Sequence, residues 1–161
     1  MQAGAAGLLA STQVYSSKRA PFHYAEVEKK IRKGDFTGIT KEMLPTPCMV
    51  LDDAAFDRNV RRMADYTKSV GMNVRPHVKI HKSPTVSKKQ VELGAIGVCC
   101  ATIAECELLS ESGVRNVLYT CQPAGMHKVG RVADLSKRDP SFIAVVDDPL
   151  TVDWLDEACG A

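Results

Sequence analysis

Two kinds of apolar pattern run along the chain. Near the N-terminus, Tyr24, Val27 and Ile31 recur at spacings of three and four within YAEVEKKIRK. That spacing predicts a short amphipathic helix over Tyr24–Lys33, stopped by Gly34. From Pro45 onward the pattern becomes regular. Cys48–Leu51 reads as a short apolar strand. Asp52 and Asp53 can cap a following helix that carries Phe56, Val60, Met63, Ala64 and Thr67 on one face and closes at Gly71. Four strand–helix pairs come next. Strand Asn73–Lys79 leads to helix Pro84–Leu93, and strand Ile96–Ala101 to helix Ala104–Ser112. Strand Asn116–Cys121 leads to helix Met126–Lys137, and strand Phe142–Val146 to helix Leu150–Ala158.

The four strands start at 73, 96, 116 and 142, intervals of 23, 20 and 26 residues. Strands and helices alternating at such intervals form βα units around a parallel sheet. The runs IGVCCA, NVLYTC and FIAVV are nearly all apolar, as expected of strands covered on both faces. A doubly wound sheet and a (β/α)8 barrel both satisfy the pattern. No Gly-x-Gly-x-x-Gly follows the first strand of the series, which weakens the dinucleotide-binding version of the former. Only 117 residues follow Leu44, whereas a complete barrel takes about 250. The chain also stops just after a helix, where a fifth strand would begin. The expected fold is therefore α/β, the first half of a (β/α)8 TIM-type barrel, truncated, with an open four-stranded sheet as the alternative. Residues 1–44 form a leader and N-terminal extension with the short amphipathic helix, and residues 45–161 form the half-barrel. In barrel order the strands run 1-2-3-4 with right-handed crossovers, and Asn73–Lys79 lies at an edge.

Composition adds little to this picture. Apolar residues make up 45% and charged residues 25%, the balance of a soluble globular protein. A net charge of +2 is too small for a general nucleic-acid binder. No apolar run approaches the roughly 18 residues of a membrane span. Ala3–Ala10 (AGAAGLLA) is apolar but lacks a basic segment before it. A flexible tail in a cytoplasmic protein is the favoured reading, and export is the alternative if the patch is the end of a truncated signal. Of six cysteines, Cys99, Cys100 and Cys121 fall in strands expected to be buried, where cysteine behaves as a small apolar residue.

The segment with chemical character is Arg75–Lys82, R-P-H-V-K-I-H-K, at the C-terminal end of the first strand of the series. Parallel α/β folds place their active sites at that end. Strand alternation puts Arg75, His77 and Lys79 on one face, with Lys79 at the mouth and His77 one layer beneath. A lysine among cations has its ammonium form disfavoured, which suits an imine-forming amine. A solvated basic loop is the plain alternative. His77 and His81 could also mimic a zinc pair four residues apart, but Pro76 argues against a helix there and no carboxylate intervenes. Thr102 and Gln122 close the next two strands, where they either line a site or cap a helix or loop. Asp147 and Asp148 are expected to cap the last helix.

LPTPCMVLD, R-P-H-V-K-I-H-K-S-P and GAIGVCCATIAECELL, in that order between about Leu44 and Asp148, resemble the D-threonine aldolase and D-serine dehydratase-like family. The resemblance implies a pyridoxal-phosphate enzyme with an alanine-racemase-like N-terminal barrel. In such enzymes the lysine of R-P-H-x-K carries pyridoxal 5'-phosphate as an internal aldimine, and here that position is Lys79. His77, His81, Thr102 and Gln122 become candidate contacts to the cofactor or substrate. The implied activity is a lyase acting on a D-amino acid, by aldol cleavage or dehydration. An amino-acid racemase, a non-catalytic pyridoxal-phosphate-binding protein and an inactive structural fragment are the alternatives. The family's opening strand, here Cys48–Leu51, packs with a C-terminal β-domain outside this chain. That domain also holds the divalent metal, so no residue here inherits a metal role. The resemblance further implies a homodimer when complete and an isolated chain without activity.

Overall fold

A computed structural model describes residues 24–160. They fall into two compact units that divide between Leu51 and Asp52. The apolar patch Ala3–Ala10 lies outside the described residues. The first unit contains helix α1 (Tyr24–Arg32), which buries Val27 and pairs Arg32 with Glu28 one turn away at 2.6 Å. Gly34, at a φ of +71°, ends it as expected. The expected strand Cys48–Leu51 does not form. These residues pair with no neighbour among the described residues, and Met49, Val50 and Leu51 are exposed. A strand is defined by its ladder, so an apolar run without one is only extended chain.

In the second unit the helices begin where local chemistry favours it. Asp52 caps α2 (Asp53–Ser69), its Oδ1 accepting from the Ala55 N–H at 2.8 Å. Ser83 caps α3 (Pro84–Glu92), with Pro84 in the first turn, where its missing N–H costs nothing. Strand β1 (Val98–Cys100) leads to α4 (Ile103–Glu111), β2 (Val117–Tyr119) to α5 (Met126–Arg138), and β3 (Ile143–Ala144) to α6 (Pro149–Gly160). Asp148 Oδ1 accepts from the Leu150 N–H at the start of α6, as expected. Among the described residues no helix is long and apolar enough to cross a membrane.

The three strands are parallel, in the order β1-β2-β3. Cys99 lies beside Leu118, and Leu118 beside Ile143. The expected strand Asn73–Lys79 is reduced to extended chain along β1. It makes one bridge, His77 to Cys99, supported by hydrogen bonds from Ile96 N to Val74 O and from Cys99 N to Pro76 O. Pro76 has no N–H to offer a ladder, and at Val78 the chain tightens into a 3₁₀ turn, Val78–Ile80. The segment nonetheless occupies the expected edge position, next to β1.

Side-chain alternation divides the sheet sharply. Val98, Cys100, Val117 and Tyr119 point to the helix side and join Val78, Ile103, Cys106, Leu109, Val132 and Leu135 in one core. The other face carries His77, Cys99, Leu118 and Ile143 in a row, none of them fully buried. Within this unit the described helices contribute their core residues to the first of these faces, although the apolar strands anticipate helices on both. Cys121, expected in a buried strand, is exposed because β2 ends at Tyr119. On α2 the expected face is half-buried at Phe56, Val60, Ala64 and Thr67, while Met63 stays exposed. Truncating Leu109, which is 1% exposed in the middle of the core, to alanine is expected to cost about 2–5 kcal/mol, read from the urea unfolding midpoint.

Candidate functional site

The site is a turn stitched together by its own backbone. Val78, fully buried, anchors it to the core. The Val78 carbonyl accepts from the N–H groups of His81 at 3.0 Å and Lys82 at 2.7 Å. His77 Nδ1 accepts from the Lys79 N–H at 3.2 Å, and His81 Nδ1 from the Ser83 N–H at 3.0 Å. Each histidine thus caps the residue two places on. With Val78 pinned inward, Lys79 is turned to solvent beyond the point where the chain leaves β1. Its Nζ makes no ion pair or hydrogen bond among the described residues.

The other cations of the segment are engaged elsewhere. Arg75 reaches across Gly97, its Nη2 donating to Asn116 Oδ1 at 2.9 Å and its Nη1 to the Asn116 carbonyl. Gly97 and Asn116 immediately precede β1 and β2, so Arg75 serves the N-terminal end of the sheet, opposite Lys79. Lys82 turns its Nζ to Glu105 Oε1 at 3.4 Å. The crowding of cations around Lys79 suggested by the sequence is therefore dispersed by long-range contacts.

His81 packs back against α3. Its Nδ1 is occupied as an acceptor, which leaves the proton on Nε2. That atom is buried and faces the Gln90 side chain, without a well-aligned hydrogen bond among the described residues. Burial pulls the imidazole's pKa below its ordinary value, and Gln90 opposes this in part. A group depressed in the folded state binds protons more readily when unfolded, so its contribution is present above about pH 6.5 and lost as pH falls. The urea midpoint should drop between pH 7 and pH 5, and His81→Asn, which retains an acceptor for Ser83, should flatten that dependence.

Thr102 and Gln122 stand on loops at the same end of the sheet as Lys79, both exposed. The Thr102 hydroxyl caps α4, accepting from the Glu105 N–H at 3.2 Å. Thr102→Ala should therefore cost about 1 kcal/mol in thermal unfolding, with Thr102→Ser close to the parent. The Gln122 carbonyl accepts from the Ala124 N–H in the loop before α5. Sequence reasoning passed over Thr120. Two residues beyond Leu118, it lies on the same face, and its Oγ1 donates to the Cys100 carbonyl at 2.8 Å. Period-two alternation from Leu118 could have found it. Two surface grooves lie away from this end. One is lined by Arg61, Ala64, Lys68 and Glu92 among others, and one by Lys88, Val91, Ile96 and Val114 among others. Neither takes in Lys79.

No family model matches the chain. Curated proteins do. A 3-hydroxy-D-aspartate aldolase of Paracoccus denitrificans is 40% identical over 112 residues, 69% of this chain and 29% of that protein. A D-serine dehydratase of Schizosaccharomyces pombe is 31% identical over 141 residues, 83% of this chain and 33% of that protein. Among solved structures, a D-threonine aldolase from Filomicrobium marinum superposes with a TM-score of 0.70 at 38% identity, over 75% of this chain and 33% of that one. A variant of D-threo-3-hydroxyaspartate dehydratase gives 0.67 at 26% identity, over 83% and 33%. The chain spans about a third of the length of these relatives.

Proposed function

From this kinship with the N-terminal part of the D-threonine aldolase and D-serine dehydratase-like family, we propose that the chain is the cofactor-lysine segment of a pyridoxal-phosphate-dependent lyase. Its substrates are D-amino acids with a hydroxyl on Cβ. The observation that carries the reading is the contrast between two lysines three residues apart. Lys82 is held by Glu105, whereas Lys79 presents an unengaged amine at the end of the sheet where parallel α/β folds do chemistry. An unpaired primary amine on a self-capped turn suits a cofactor that carries an aldehyde, so the residues present fit the group. Bound there, the cofactor would supply an electron sink for the bonds at the substrate's Cα.

This chain's residues divide the remaining work. Lys79 would hold the cofactor through Nζ, and its amine is the group that would take or return a proton at the substrate's Cα. His77 keeps the turn shaped by accepting from the Lys79 N–H, and with Thr120 it offers polar atoms on the second face. Thr102 and Gln122 stand on the neighbouring loops as candidate contacts, while His81, turned toward α3, supports the turn from below. The relatives named above are aldolases or dehydratases, which favours a lyase over a racemase. The half-barrel reading is supported by the edge position of residues 73–77, the order that follows it, and the second face with its row of His77, Cys99, Leu118 and Ile143, none of them fully buried. Further strands would close that face. The divalent metal is assigned to a C-terminal domain outside these residues, and the complete protein to a homodimer.

The 161-residue chain alone is expected to bind pyridoxal phosphate weakly and not to turn over substrate. The test is incubation with millimolar pyridoxal phosphate and D-threo-3-hydroxyaspartate, followed by assays for covalent cofactor and for released aldehyde or ammonia. Attachment without release is expected. Release by the chain alone would overturn the expectation that these residues do not suffice for turnover, and failure to attach any cofactor would overturn the functional reading.

A further inference from the structure

We infer that Lys82 and Glu105 form a positioning tether that ties the turn carrying Lys79 to the junction of β1 and α4. The inference rests on the functional reading given above, but its geometry stands independently of any cofactor. Glu105 occupies the third position of α4 and uses its two oxygens differently. Oε2 accepts from the N–H groups of Ala101 at 3.0 Å and Thr102 at 3.3 Å, completing a capping box with Thr102. Oε1 is left to face Lys82 Nζ at 3.4 Å. The carboxylate is fixed by its backbone partners and its side chain is only 9% exposed. It is thus a rigid post, and Lys82 is the movable end of the pair.

Two observations bear on the lysine side chain at position 82. First, Lys82 adopts a φ of +48°, a conformation that disfavours any residue with a Cβ and is ordinarily given to glycine or asparagine. Second, burial alone would push the Glu105 carboxyl up, yet the N–H groups of Ala101 and Thr102 together with the Lys82 ammonium bring it below its usual range. The carboxylate is therefore charged and available to Lys82 at neutral pH. The turn between the two ends is short. Val78 is buried, Lys79 follows it, and the Lys82 N–H returns to the Val78 carbonyl at 2.7 Å. Fixing Lys82 to α4 closes this loop from its far side and limits the directions in which Lys79 can be presented.

The experiment compares the parent chain with Lys82→Met, Lys82→Gly and Lys82→Arg. Amide hydrogen exchange over residues 78–83 is followed without cofactor, and the apparent dissociation constant for pyridoxal phosphate is measured separately. Lys82→Met should raise exchange rates and weaken cofactor binding by about two- to fivefold, the scale of a partly exposed ion pair. Lys82→Arg should restore both. Lys82→Gly discriminates most sharply. It relieves the positive φ, so a purely backbone role predicts unchanged or slower exchange, whereas the tether predicts faster exchange. Unchanged exchange in Lys82→Met and Lys82→Gly would overturn the tether. If the parent itself takes up no cofactor on Lys79, the functional reading fails, while the exchange data still decide the tether.

Discussion

Gly97→Ala is expected to destabilise the second unit by about 2–4 kcal/mol, the combined scale of overpacking and backbone strain. A Cβ at Gly97 would collide with the Asn116 carbonyl oxygen and the Arg75 guanidinium, and Gly97 adopts a φ of +153° that side chains rarely take. The colliding oxygen belongs to the backbone, and Asn116 is itself held by its N–H to Ser141 Oγ at 2.8 Å and its Nδ2 to the Ile96 carbonyl. The Arg75 guanidinium, at the end of a flexible side chain, can swing away, but the Asn116 backbone cannot move aside cheaply. Gly130→Ala is the control. Gly130 lies inside α5, and a Cβ there meets nothing within 4 Å. That change should stabilise the helix by about 0.5–1 kcal/mol. Urea unfolding of the two variants should therefore move in opposite directions.

Lys79→Ala should reduce borohydride-trapped pyridoxal phosphate to the background of scattered surface lysines, whereas Lys82→Ala should keep trapping within about fivefold of the parent. The difference follows from what each amine already does. The Lys82 ammonium is drawn to the Glu105 carboxylate, and attack on an aldehyde would require it to leave that partner and lose its proton. Among the described residues Lys79 has no such partner to leave. Neither side chain contributes to the core, so both variants should fold, and far-ultraviolet circular dichroism before trapping verifies this. Trapping lost in Lys82→Ala and retained in Lys79→Ala would reverse the assignment.

Helix positions were legible because their signals are local. Asp52, Ser83 and Thr102 cap within three residues of themselves, and Gly34 stops α1 in the same way. The succession and order of the βα units were legible for a related reason, since repeated alternation constrains topology. Strand extent was not. An apolar run shows that a segment can be buried, but pairing ends where a neighbour ends, so β3 keeps only Ile143–Ala144 and Cys48–Leu51 forms no strand. The chemistry of Arg75–Lys82 was half legible. Lys79 and its motif stand out in the sequence, but the fates of the surrounding cations depend on residues 41 positions away for Arg75 and in α4 for Lys82. No local rule pairs Arg75 with Asn116 across Gly97. His81 is similar: its spacing suggests a site, while burial beside Gln90 depends on how α3 packs.

On the proposed function, one lysine of this chain, Lys79, is the attachment point for a carbonyl cofactor. Peptide mapping checks this. The chain is equilibrated with pyridoxal phosphate, reduced with borohydride and digested, and pyridoxyl-modified lysines are located by mass spectrometry over a range of cofactor concentrations. Saturable modification concentrated on the peptide containing Lys79, well below the concentrations that label Lys82, Lys88, Lys89 and Lys128, is the predicted result. Labelling that tracks solvent exposure alone, with Lys79 no more reactive than those four, would contradict it.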